Sequence, residues 1–93
     1  MNKTKTSELA EKLKIPPSRA LEAVIKAQLI AAIVKVAKRK GLTHDVLAER
    51  SGLPRSAVTG ILAGSVQKVT INRVLRLVEA AGLVAEVKVK EVA

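Results

Sequence analysis

The sequence predicts a mainly α-helical domain of five helices that ends in one short β-strand. Three observations predict it. Apolar residues recur at three- and four-residue steps from Leu21 to Val36 and again from Ile71 to Val78, the spacing of one helix face. Pro, Gly and Thr punctuate the chain at Pro16-Pro17, Gly41-Leu42-Thr43, Gly52-Leu53-Pro54, Gly64, Thr70 and Gly82, where helices start and stop. From Val84 to Lys90 the hydrophobic period falls to two, which is the period of a strand.

Each element follows in order. Residues 1–5 are polar and basic. Thr6 or Ser7 caps a short helix with Leu9, Ala10 and Leu13 as its stripe, and Ile15-Pro16-Pro17 breaks it. A long helix runs from about Ser18 to Lys40, with Leu21, Val24, Ile25, Leu29, Ile33 and Val36 inward. Lys38, Arg39 and Lys40 complement its C-terminal dipole, and Gly41 stops it. Thr43 caps a helix over Asp45–Arg50 that Gly52 ends. Pro54 opens another, to about Ala63, which Gly64 closes. Thr70 caps the last, Ile71–Ala81, with Ile71, Val74, Leu75 and Val78 inward. In the tail, Ala85, Val87 and Val89 alternate with Glu86, Lys88 and Lys90. A lone strand leaves its N–H and C=O groups unpaired, and the simplest partner is the same strand of a second copy across a two-fold axis. The chain thus divides into an N-terminal arm and short helix (1–19), a helical domain (20–82) and a dimerisation strand (83–93).

Composition narrows the function. The 93 residues carry 17 Lys and Arg against 8 Asp and Glu, a net charge of +9, with no Cys and no Phe, Trp or Tyr. At about 100–200 residues per domain the length fits one domain, and the 48% apolar fraction is too high for a disordered tail. Without Cys there is no disulfide framework, zinc finger or Cys nucleophile. Without aromatics there is no stacking platform for unpaired bases. The longest apolar run, residues 29–34, is far short of the ~20 needed to span a bilayer, and no secretory signal is visible, so a cytoplasmic protein without membrane contact is expected. The charge excess points to a polyanion. Nine basic residues and two acidic ones lie between Lys35 and Arg76, so +7 of the +9 falls within 42 residues.

Those residues bracket the segment Thr43–Leu62, THDVLAERSGLPRSAVTGIL. Two short helices joined at Gly52 must cross steeply. Ala48 is small enough for the crossing, Gly52 supplies the turn, and Leu47, Leu53, Val58 and Ile61 supply a shared apolar set. This is the pattern of a helix-turn-helix. An echo 38 residues earlier, Leu9-Ala10-Glu11-Lys12 with Ile15-Pro16, has Lys14 in place of the turn glycine and is not a second working motif.

From Lys35-Val36-Ala37 through Gly41-Leu42-Thr43, Leu47-Ala48-Glu49, Gly52-Leu53, Ala57-Val58 and Ile61-Leu62 to Thr70–Leu77 and Ala81-Gly82-Leu83, the chain resembles the Xre/Cro/phage-repressor type of helix-turn-helix domain. The resemblance covers about residues 20–90 and implies a lambda-repressor-like fold. With its short strand after Gly82, the chain is most similar to small HigA-like antitoxins and stand-alone Xre regulators. It departs from the family at His44, where many members have a phosphate-contacting Gln.

In such a motif the second helix enters the major groove. With Val58, Ile61 and Leu62 inward, Arg55, Ser56, Thr59 and Gly60 face out. Arg55 is the foremost base reader, because Arg pairs bidentately with guanine. Phosphate contacts are expected from Lys38, Lys40, Thr43, His44, Lys68, Thr70 and Arg73, the two threonines capping helix N-termini that attract phosphate. The dimer contact is expected from Val84, Ala85, Val87 and Val89.

The function expected is a dimeric, sequence-specific double-stranded DNA-binding repressor acting on a palindromic operator. The alternatives are an antitoxin that also binds a toxin protein, a protein-interaction module that keeps the shape without binding DNA, and a non-specific nucleoid protein. No cofactor or metal is expected. His44 has no companion ligands, and neither Ser51 nor Ser56 belongs to a catalytic triad, so no enzyme is expected.

Overall fold

The computed structural model describes residues 17–92, and within them four helices form: α1 (Pro17–Lys40), α2 (His44–Ser51), α3 (Arg55–Leu62) and α4 (Ile71–Ala80). The short helix expected around Leu9, Ala10 and Leu13 lies outside the described residues.

The boundaries are set by local chemistry. Pro17 opens α1, where its missing N–H costs nothing. Thr43 Oγ1 accepts the Val46 N–H at 3.2 Å and Thr70 Oγ1 accepts the Arg73 N–H at 3.3 Å, so both expected threonine caps form. At the α2–α3 turn Gly52 takes φ 73°, and its N–H donates to Ala48 O at 2.9 Å. A residue with a Cβ pays for that left-handed conformation, and glycine does not. Buried Ser51 completes the turn: its hydroxyl donates to Ala48 O at 3.3 Å and accepts the Leu53 N–H at 3.2 Å.

The four helices enclose one aliphatic core. Ile33, Leu47, Val58, Val74 and Leu77 are fully buried at its centre, with Leu53, Ile61 and Val69 around them. Each such side chain contributes on the order of 1.5–3 kcal/mol through burial. Helix α1 packs most extensively on α4, and α2 packs on both α3 and α4. Lys26 reaches Val66 just before α4, and Lys40 lies beside Gly82 just after it, so α4 runs in the same direction as α1.

Two expected faces are corrected in part, since Ile33 and Val36 on α1 and Val74 and Val78 on α4 are buried as expected. On α1 the inward residues are Ala20, Lys26, Ile30, Ile33, Val36 and Ala37, while Leu21 and Ile25 are exposed. Apolar residues run round the whole circumference near residues 29–34, so periodicity alone does not choose a face. On α4, Val74, Leu77, Val78 and Ala80 are buried and Ile71 and Leu75 are exposed. Helices α1 and α2 approach α4 from the Leu77 side, which leaves Ile71 and Leu75 on the flank.

The expected C-terminal strand is also not formed: among the described residues there is no strand. Residues 84–92 are all exposed, Val87 at 86% and Val89 at 88%. The physical reason is that one chain offers this segment no ladder partner.

Candidate nucleic-acid interface

Helix α3 turns one side to the core and the other to solvent. Val58 and Ile61 are buried, whereas Arg55, Ser56 and Thr59 are exposed and Gly60 is half-buried. Apart from its chain neighbours and the backbone of its own helix, nothing lies within 4 Å of where a Gly60 side chain would begin, so the surface there is open to a closely approaching ligand. The four residues expected to read bases therefore share the outward side of one two-turn helix.

That side is not left to itself. Asp45 and His44, in the first turn of α2, reach across to it. Arg55 Nε donates to Asp45 Oδ1 at 2.8 Å, with both side chains mostly in solvent. His44 Nδ1 and Thr59 Oγ1 are 2.9 Å apart. Consecutive residues of α2 thus hold residues one turn apart on α3. Pairing through Nε leaves the two terminal nitrogens of Arg55 for another acceptor, and these are the donors a guanine edge takes up. In the tautomer in which His44 Nδ1 accepts the Thr59 hydroxyl, Nε2–H points a donor elsewhere, as a phosphate contact requires. An exposed ion pair is worth about 0–1 kcal/mol, so the contact between Asp45 and Arg55 orients more than it stabilises.

Asp45 went unnoticed in the sequence, where it counted only as one of two acids among the bases. Its signal was its place: an acid in the first turn of one helix, with an Arg opening the next.

Five of the seven expected phosphate-contacting residues fall into two groups. Thr43 and His44 stand at the start of α2, beside Arg55 and Thr59 of α3. Lys68, Thr70 and Arg73 occupy the loop after α3 and the first turn of α4, all exposed, with Thr70 Oγ1 taken up by the Arg73 N–H. Lys38 is exposed in the last turn of α1. Lys40 leans on the C-terminal end of α4, beside Gly82. Two further bases serve the fold. Arg50 Nη1 donates to Ala80 O at 3.3 Å, and the Arg76 guanidinium lies over Gly52. Val84, Ala85, Val87 and Val89 are exposed along the tail and touch no core.

Among the described residues no helix is long and apolar enough to cross a membrane, and no group of three His, Cys, Asp or Glu residues could hold a metal ion. A family model described as a helix-turn-helix domain matches residues 16–90, so the match takes in the valine-rich tail as well as the four helices. No curated protein and no solved structure matches the chain.

Proposed function

The chain belongs to the helix-turn-helix domain family, and on that premise we propose that it is a sequence-specific regulator of transcription, a repressor that binds double-stranded DNA as a homodimer. One observation carries the proposal above the others: Arg55, Ser56, Thr59 and Gly60 share the outward side of α3, which α2 braces through Asp45 and His44. Helix α3 enters the major groove, with Arg55 at a guanine edge and Ser56 and Thr59 at neighbouring bases or phosphates. Gly60 lets the backbone come close.

Register on the duplex comes from phosphate contacts: Thr43 and His44 on one side of α3, Lys68, Thr70 and Arg73 on the other, and Lys38 from α1. The side chain of Lys40 inclines toward Gly82 and contributes general positive charge. The dimer forms by pairing the two tails through Val84, Ala85, Val87 and Val89 into a ribbon. That pairing sets the recognition helices about one DNA turn, ~34–36 Å, apart over a palindromic operator. The work is binding, without catalysis, in the cytoplasm. Within the family, the short segment after Gly82 supports the likeness to Xre regulators.

A second reading is the antitoxin of a HigA-like pair. The exposed Leu21 and Ile25 on the first turns of α1 favour it, because they offer apolar surface to a protein partner. A stable complex with the product of a neighbouring gene distinguishes this reading from the first.

Selection of preferred duplexes from a random pool tests the proposal. Recovery of a palindrome is the expected result. A pool that shows no enrichment after repeated rounds overturns sequence-specific repression and leaves charge-driven binding or an interaction module.

A further inference from the structure

The loop between α3 and α4 hangs from a buried lysine. Lys26 is the one charged residue buried among the described residues, 5% exposed on the inward side of α1. Its ammonium donates to Val66 O at 3.2 Å and pairs with Glu22 Oε1, one turn back on α1, at 2.7 Å. Glu22 stands at the surface, and the hydrogen bond and charge of Lys26 hold its carboxyl below the usual glutamate range.

A buried ammonium is costly unless it is paired and hydrogen-bonded. The rest of the inward side of α1 is aliphatic, and a leucine or methionine would fill the site without that cost. What the ammonium adds is a long-range polar anchor from α1 on a loop whose other backbone bonds are local, Val66 N–H to Gly64 O at 2.8 Å and Ser65 N–H to Gly60 O at 3.4 Å, and whose Val66 side chain packs on the core. Val66 O is tied to Lys26 at one place, and the buried Val69 side chain is sunk in the core three residues on. Between these two anchors lie Gln67 and Lys68, both exposed. The backbone that carries Lys68 is thus pinned on either side while its side chain stands in water.

We infer that Lys26 is a positioning residue. It sets the α3–α4 loop so that Lys68 meets the phosphate backbone beside the recognition helix, and it does not itself touch DNA. The inference rests on the proposed duplex binding through α3. Lys26 contributes through backbone geometry, which separates it from every other lysine assigned to the interface.

Lys26→Met tests this, because it keeps the stem and removes the ammonium. In the free protein, backbone ¹⁵N order parameters for residues 65–68 should fall from near ~0.85 toward ~0.6, while those of α2 and α3 stay unchanged. A loop that keeps its order in this variant overturns the inference, whatever happens on DNA. On the duplex recovered from the random pool, Lys26→Met should weaken binding about tenfold to a hundredfold, the range for one lost charged hydrogen bond. In a Lys68→Ala background the same change should cost less than about twofold, because the two residues act as one unit. Effects that simply multiply in the double variant overturn the inference, since Lys26 would then act independently of Lys68. Wild-type protein that selects no duplex overturns the proposed function, and the role of Lys26 toward DNA falls with it. An ordered loop in Lys26→Met with binding intact overturns the Lys26 assignment alone.

Discussion

Asp45 and Arg55 close an ion pair across the helix-turn-helix, with Nε of the arginine 2.8 Å from Oδ1 of the aspartate, although both side chains are more than half exposed. The pair joins the first turn of α2 to the first residue of α3 and so fixes where the guanidinium points. It also places a negative charge next to a surface proposed to meet phosphate.

Arg55→Ala should therefore relax preference at a single base-pair position, by ~1–3 kcal/mol of discrimination, and leave the others as they were. Asp45→Asn should do something different: raise affinity for random duplex by removing a repulsive charge, and lower the ratio of cognate to random binding by freeing Arg55. Competition titrations with labelled duplexes measure both quantities. Equal weakening at every position by Arg55→Ala would make Arg55 a backbone contact.

Lys68 is exposed in the loop that follows α3. If it meets a phosphate, Lys68→Ala should reduce the slope of log K against log salt by about 1 unit. The readout is affinity across a salt series. An unchanged slope removes Lys68 from the phosphate contacts.

Two glycines of the motif should behave oppositely. Gly52→Ala forces a side chain into φ 73°, with its Cβ 2.9 Å from Arg76 Nη2. The left-handed conformation alone should cost ~1–2 kcal/mol in urea unfolding. Gly60 sits inside a regular helix with open space above it. Gly60→Ala should gain stability, by up to ~1 kcal/mol, and lose DNA affinity, because the added methyl keeps the backbone from the groove. A Gly60→Ala protein that is more stable and binds as well as wild type would place the base-reading surface elsewhere on α3.

For the tail, Val87→Lys with Val89→Lys should convert a dimer to a monomer in sedimentation equilibrium without loss of helical circular dichroism, since neither valine belongs to the core. A wild-type chain that is monomeric at high concentration removes the ribbon from the proposal.

How far the sequence revealed these features depended on how local their causes are. The Thr43 and Thr70 caps, the Gly52 turn and the buried set Leu47, Leu53, Val58 and Ile61 were legible, because each depends on residues within a few positions. The outward side of α3 followed from the inward one. The inward side of α1 was legible only in its second half, where Ile33 and Val36 are buried as expected, and not at Leu21 and Ile25. Lys26 interrupts its apolar stripe, and it takes the distant Val66 carbonyl together with the Glu22 carboxylate to explain a buried lysine there. Arg50 and Arg76 counted as part of a basic surface, yet one donates to the end of α4 and the other covers the α2–α3 turn. The strand was expected from its alternation, and alternation describes a segment without supplying the second backbone that a ladder needs.

The exposed tail has a consequence for dosage. Residues 84–92 contribute nothing to the core of a single chain, so on the dimer reading the order they gain is acquired only when two chains meet. Operator occupancy would then follow the square of the protein concentration wherever free chains predominate. A cell halving its supply of this small protein would lose about three quarters of the dimer by that mass action, and a graded fall in synthesis would be read at the promoter as a sharp release.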